Sequence, residues 1–287
     1  MTTDRTVLRG GVAVVTGGAG RGAGLGQGLV RRLAAQGMRV AILDVDHAAA
    51  EALAAELRAE GREAIACAAN VLDHATLRAA ADQVRTTYGA CNVLCAHVGG
   101  SAMGPAESMT PDQWREGFEL MVVGTMATVQ AFLPLMRETK GLRRITITAS
   151  AAALQPGRFQ GPYRVAKAAV TSLGETLDLE LGPEGIGTTV IFPSGMMSPP
   201  RADGLEPVQL HPDMMSHMTA IAAEMAAYPS DITTGDAAAE PVIDAIVQGR
   251  PYVITHGLSV DKGYQRRREA MDEAFAELAR RDHLPGG

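Results

Sequence analysis

Apolar and polar positions along the chain fall into two alternating rhythms. Short, nearly continuous apolar runs rich in Val and Ile are followed by longer stretches whose apolar residues recur three and four apart. The first pattern predicts strands buried on both faces, and the second predicts amphipathic helices. Strands are expected at "GVAVVTG" (11–17), "RVAILD" (39–44), "EAIACAA" (63–69), "CNVLCAHVG" (91–99), "RRITITAS" (143–150), "IGTTVIFPS" (186–194) and "RPYVITHG" (250–257). Helices are expected over 24–36, 47–61, 73–88 and 162–181, with a long one opening at 110. There Thr110 can cap, Pro111 suits the first helical position and Gln113 can complete a capping box. Strands separated by helices imply parallel βαβ units with right-handed crossovers, and so an open α/β sheet covered on both faces.

Two segments break the rhythm. Residues 194–230 are rich in Met and Pro, and residues 261–283 read as a charged helix. Neither is a linker, and no internal repeat is visible, so 1–287 is read as one domain with a C-terminal helical extension over 261–287.

Composition narrows the picture. Hydrophobic residues make up 46% of the 287 positions and aromatics only 4%, so aliphatic side chains and Met must fill the core. A net charge of −6 argues against nucleic acid as the main partner, which would demand a basic face. The N-terminal "MTTDRTVLRGG" lacks the apolar centre of a secretory signal, and no apolar run approaches the roughly 20 residues that span a bilayer. Cys67, Cys91 and Cys95 form no disulfide framework and are read as buried thiols. A cytoplasmic protein with no membrane partner is expected. His211 and His217 stand in the Met-rich segment without a matching ligand set, so no metal site is assigned.

Candidate chemistry concentrates in three places. "VTGGAGRGAGLG" follows the first strand and opens the first helix, with Gly18, Gly22 and Gly24 spaced for a phosphate-cradling turn at a helix N-terminus. Asp44 ends the second strand, where a carboxylate can accept from both ribose hydroxyls of NAD and repel the extra phosphate of NADP. Arg21 pulls the other way; the acid is given more weight, so NAD is expected ahead of NADP. Finally, "GPYRVAKAAV" sets Tyr163 one helical turn before Lys167, so that the two share a helix face. An ammonium beside a phenol lowers its pKa, making Tyr163 an acid–base group, and Ser150 at the end of the fifth strand can hold a substrate oxygen next to it.

Taken in this order, the glycine loop, Asp44, Ser150, Tyr163 and Lys167 resemble the short-chain dehydrogenase/reductase family over roughly residues 8–260. The resemblance implies a Rossmann-type, doubly wound, seven-stranded parallel sheet in three αβα layers. It also implies hydride transfer with a nicotinamide cofactor, and a homodimer or homotetramer. By the same resemblance Ser150, Tyr163 and Lys167 are the catalytic trio. Cofactor contacts fall on Gly18, Arg21, Gly22, Gly24, Leu25, Asp44, Asn70, Val71, Val98, Gly99, Tyr163, Lys167, Pro193, Met196 and Ser198, and residues 194–230 cover the substrate. Met196, Met197, Met214, Met215, Met218 and Met225 suit a hydrophobic or aromatic substrate, since thioethers mould to irregular apolar surfaces. The tail "PYVITHGLSVDKGYQRRREAMDEAF" is similar to a bacterial subgroup that includes Cα-dehydrogenases of lignin-derived aryl ethers.

Three departures from the family pattern stand out. The glycine loop has one extra residue counted from Thr16 and Gly17. Ala96, His97, Val98 and Gly99 replace Asn-Asn-Ala-Gly, removing the amides that tie the fourth strand to its neighbours. Met121 replaces the Asn that supports a proton relay from the lysine, and His97 is a candidate to take over part of that relay. These departures keep two alternatives open: a redox-neutral isomerase, dehydratase or lyase on the same scaffold, and a non-catalytic dinucleotide-binding protein.

Overall fold

A computed structural model describes residues 3–20, 24–100, 103–196, 232–257 and 259–282. Seven parallel strands form one sheet in the order β3-β2-β1-β4-β5-β6-β9. The strands are β1 (Val12–Thr16), β2 (Arg39–Asp44), β3 (Ala64–Ala68), β4 (Val93–Ala96), β5 (Arg144–Thr148), β6 (Gly187–Phe192) and β9 (Tyr252–Ile254). A two-residue pair, β7 (Gly195–Met196) and β8 (Ile232–Thr233), lies apart from it. The expected seven-stranded, doubly wound architecture is therefore present. Several strands end earlier than the apolar pattern does, because the residues beyond them turn away to build the site.

The two-residue period of a strand sorts the core into two layers. Ala13 and Val15 of β1, with Val40 and Ile42 of β2, face one cluster. Val12 and Val14, with Ala41 and Leu43, face the other. The first layer is covered by α1 (Leu25–Ala35), α2 (His47–Ala59) and α8 (Gly235–Gln248). The second is covered by α3 (His74–Tyr88), α5 (Gly124–Glu138) and α7 (Gly161–Leu181). Cys91 and Cys95 lie buried in the second and first layers respectively, and burial pushes the Cys95 thiol up to about 12.

The long helix opening at 110 is really three pieces. Thr110 and Gln113 form the capping box, and α4 (Pro111–Phe118) runs into a π-helical turn, Glu119–Val123, before α5 begins. Contrary to the sequence expectation, the continuous run 111–138 is long and apolar enough to cross a bilayer by length and composition. Here it packs as a core helix, with Val129, Phe132 and Met136 fully buried against the sheet. Towards the C-terminus, α9 (Ser259–Asp282) is exposed along nearly its whole length, and Tyr264, Met271, Phe275 and Leu278 remain uncovered among the described residues. Its start packs on a one-turn helix, α6 (Ala151–Leu154).

The approach of α1 to α8 is set by glycine. A Cβ on Gly28 of α1 would overlap the carbonyl oxygen of Gly235 at the start of α8. Backbone against backbone leaves no flexible side chain to yield. Gly28→Ala is therefore expected to destabilise the fold by about 1–3 kcal/mol through overpacking, measured as a lower urea midpoint at an unchanged slope.

Candidate active site

All seven strands of the sheet run in parallel, so their C-terminal ends open on one side. At β1 the chain order reverses between β2 and β4, leaving the crevice where open α/β sheets take their ligands. The glycine loop sits here. Gly17 and Gly20 adopt positive φ (60° and 46°), a region that costs glycine nothing. Gly24 is the N-cap of α1 and has no side-chain cap, so the first amides of that helix are left for another partner. Leu25 is buried beneath the loop. Arg21, Gly22 and Ser198 lie outside the described residues.

Asp44 is built into the loop. Its Oδ2 accepts from the Ala19 and Gly20 N–H groups at 3.1 and 3.2 Å, and its Oδ1 accepts from Asp46 N–H at 3.0 Å. Capping of α2 falls to Asp46, through Ala49 N–H at 3.0 Å. A carboxylate has about four acceptor sites, so Asp44 can hold the loop and still accept from a ribose. The donor set at the helix start, the glycine turn and this carboxylate together fit a dinucleotide. Gly17 and Gly26 matter here, Gly26 without any motif spacing that singles it out: a Cβ on Gly26 would overlap the Gly17 carbonyl, and one on Gly17 would collide with that of His97. Gln27, equally silent in the sequence, donates to the Ala19 carbonyl at 2.5 Å.

Ser150, Tyr163 and Lys167 converge at the end of β5. Ser150 caps α6, accepting from Ala152 N–H at 3.1 Å, and its hydroxyl faces the Pro193 carbonyl at 3.5 Å. The Ser150 hydroxyl acts on the Tyr163 phenol and favours its ionised form. The Lys167 Nζ lies 5.7 Å from the Tyr163 ring centroid, as the four-residue spacing requires. Lys167 is 2% exposed. Its Nζ donates to the Val98 carbonyl at 2.9 Å and the Thr148 carbonyl at 2.8 Å, which uses two of three donors among the described residues. Burial pulls this ammonium down to about 7.

The electrostatics correct one expectation. Spacing alone predicts that the lysine lowers the tyrosine, yet the Tyr163 phenol is pushed up, because burial outweighs the Ser150 hydrogen bond and the charge of Arg164. Lys167 is itself pulled down by burial.

The remaining assigned residues are placed as follows. Asn70 closes a turn at the start of α3, its Oδ1 accepting from Leu72 N–H at 3.0 Å. Val71 packs against Gly124 at the start of α5. Val98 gives its carbonyl to Lys167, and Gly99 is exposed beside that ammonium. The Pro193 carbonyl accepts from Ala151 N–H at 2.9 Å, and Met196 packs on the first core layer through β7. Most of the 194–230 segment lies outside the described residues.

A family model described as short chain dehydrogenase matches residues 11–206. The chain belongs to the short-chain dehydrogenase family. D-threitol dehydrogenase of Mycolicibacterium smegmatis is 27% identical over 261 residues, covering 88% of this chain and 94% of that protein. C alpha-dehydrogenase of Sphingobium sp. is 31% identical over 188 residues, covering 65% and 61%. The crystal structure of a short-chain dehydrogenase/reductase from Burkholderia phymatum in complex with NAD superposes with a TM-score of 0.79 at 25% identity. It covers 93% of this chain and 96% of that one.

Within the family frame, the structure shows what fills the altered positions. Where the family pattern has two amides tying β4 to its neighbours, two threonines and His97 do so. Thr16 Oγ1 accepts from His97 N–H at 3.0 Å and reaches back to the Cys95 carbonyl at 3.3 Å. The His97 Nδ1 lies 3.1 Å from the Thr148 hydroxyl. Its imidazole is bonded to Thr148 rather than to Lys167, and burial, then the lysine charge, hold it down to about 4. Met121 is fully buried within the π-helical turn, and its carbonyl accepts from the Thr125 hydroxyl at 2.6 Å. Thr125 and Thr148 carry no motif signal, because a threonine in a strand or helix is ordinarily read for propensity alone.

Neutral His97 has a stability consequence. Between about pH 6.5 and about 4 the unfolded chain binds a proton at this residue that the folded chain refuses, so stability falls as pH is lowered through that window. Denaturant midpoints at the two ends of the window should show a smaller acid loss in His97→Gln than in the parent protein.

Proposed function

We propose that this protein is an NAD-dependent oxidoreductase that interconverts a secondary alcohol and a ketone on a hydrophobic or aromatic small molecule. The observation that carries the reading is the meeting of Ser150, Tyr163 and Lys167 at the end of β5, beside a glycine loop organised by Asp44. A pure binding protein has no use for a buried lysine one helical turn from a buried phenol, with a buried serine acting on that phenol.

When bound, a nicotinamide dinucleotide supplies the hydride acceptor or donor. Gly18, Gly22 and Gly24 with the first amides of α1 would hold its phosphates, and Asp44 a ribose. Ser150 orients the substrate oxygen. Tyr163 gives a proton to that oxygen during ketone reduction and takes one during alcohol oxidation. Because burial raises the phenol, Tyr163 is protonated at neutral pH and stands ready as a donor. Lys167, fixed by two carbonyls, keeps one donor for the ribose or for proton exchange with the phenol.

The fixed negative charge of Asp44 favours NAD over NADP, in keeping with the NAD-bound structure from Burkholderia phymatum. The C alpha-dehydrogenase relative and the methionines of 194–230 support an apolar or aromatic alcohol. A homodimer or homotetramer in the cytoplasm is part of the same reading. Exposed Leu179 on α7, with Tyr252 and Ile254 on the edge strand β9, offers apolar surface for self-association.

Titration with NADH and NADPH, followed by cofactor fluorescence, is expected to show tighter binding of NADH and a narrowed preference in Asp44→Ala. Absence of binding by either cofactor sinks the reading. With an alcohol found by screening, Tyr163→Phe should cut turnover by about 100-fold or more while leaving NADH binding in place. The oxidation rate should rise with pH into the alkaline range as the phenol ionises, and the reduction rate should fall.

A further inference from the structure

The segment between Ser150 and Tyr163 is held in an unusual way. It contains α6, a single helical turn, whose last carbonyls have no partners within the helix. Arginines from two other helices take them. Arg164, next to Tyr163 on α7, donates through Nη1 to the Ala152 carbonyl at 3.0 Å and the Gln155 carbonyl at 2.7 Å. Arg267, on α9, donates through Nη1 to the Ala153 carbonyl at 3.1 Å.

Packing reinforces these bonds. The Arg164 guanidinium lies so close to Gly157 that any Cβ there would overlap it. Gly263 of α9 faces the Gln155 side chain equally closely. Phe159 follows with a φ of 62°, a conformation that a bulky residue keeps only when its surroundings over-determine it. Both arginines therefore act on the wall that carries Ser150 towards Tyr163.

We propose that Arg164 and Arg267 are positioning residues that clamp the 152–155 backbone from two sides, so that the C-terminal helix α9 sets the place of Ser150 against Tyr163. The exposed C-terminal helix thereby braces the candidate catalytic wall, and any change in its seating reaches Ser150 through one hydrogen bond.

Arg164 carries a second effect. Elements packed on α7 bring Asp112, Arg115 and Glu116 on α4, Glu119 in the π-helical turn and Arg144 on β5; α7 itself adds Lys167. The Arg164 charge pulls the Tyr163 phenol down against burial.

Two readouts test the clamp, and neither needs a substrate, so their failure is separable from failure of the proposed chemistry. In hydrogen exchange, Arg267→Gln should speed exchange of the 150–157 segment about fivefold, the loss of one hydrogen bond, while β1 and β5 stay at the parental rate. In ultraviolet titration, with Tyr163→Phe as the subtraction, Arg164→Gln should move the Tyr163 transition upward, and Arg164→Lys should restore it. Unchanged exchange at 150–157 in Arg267→Gln overturns the coupling to α9. An unmoved Tyr163 transition in Arg164→Gln overturns the role of Arg164. Should Arg164→Gln fail to fold, exchange across β1 and β5 reports it, and Arg267→Gln, altered on an exposed helix, decides the proposal.

Discussion

The burial of one ammonium group organises the site. Lys167 is sealed between α7 and the ends of β4 and β5, and a charge taken out of water must be paired or lose its proton. No carboxylate bonds it among the described residues. Two backbone carbonyls do, Val98 and Thr148, one from each strand end. Carbonyl dipoles only partly offset the lost hydration, which is why the group settles near 7. The register that sets Ala96 beside Ile147 delivers those carbonyls to the same point, so strand pairing and site chemistry are one constraint.

The same constraint explains how the altered fourth strand is tolerated. Beyond Ala96 the chain leaves the sheet, and its backbone groups need partners. Thr16 from β1 and Thr148 from β5 provide them, holding the His97 backbone on one side and its ring on the other. Hydroxyls can donate and accept, so two threonines do the work of two amides. The cost is an imidazole kept neutral beside a lysine, and with it a sensitivity of folding to acid.

Close backbone contacts supply the rest of the precision. Gly17, Gly26 and His97 pack main chain on main chain where β1, α1 and β4 meet, and the Asp44 carboxylate stitches the loop above them. On the far side of the site, the π-helical turn at Glu119–Val123 buries Met121, and Thr125 satisfies the carbonyl that an ordinary helix would pair differently. On the Ser150 side of the site, the Ala152, Ala153 and Gln155 carbonyls accept from Arg164 and Arg267.

Much of this was legible in the residues alone. Period-two and period-3.6 patterning set the order of strands and helices, because burial on two faces of a parallel sheet leaves a strong apolar signature. The glycine loop, Asp44, Ser150 and the Tyr163–Lys167 pair were legible because each depends on a short-range spacing. Tertiary structure alone decided the rest. The pull of burial on Lys167, the upward push on Tyr163, the threonine ties around His97 and the grip of Arg164 and Arg267 on one short segment all join residues far apart in the chain. Desolvation and hydrogen-bond geometry exist only once the packing is complete, and no spacing along a sequence encodes them.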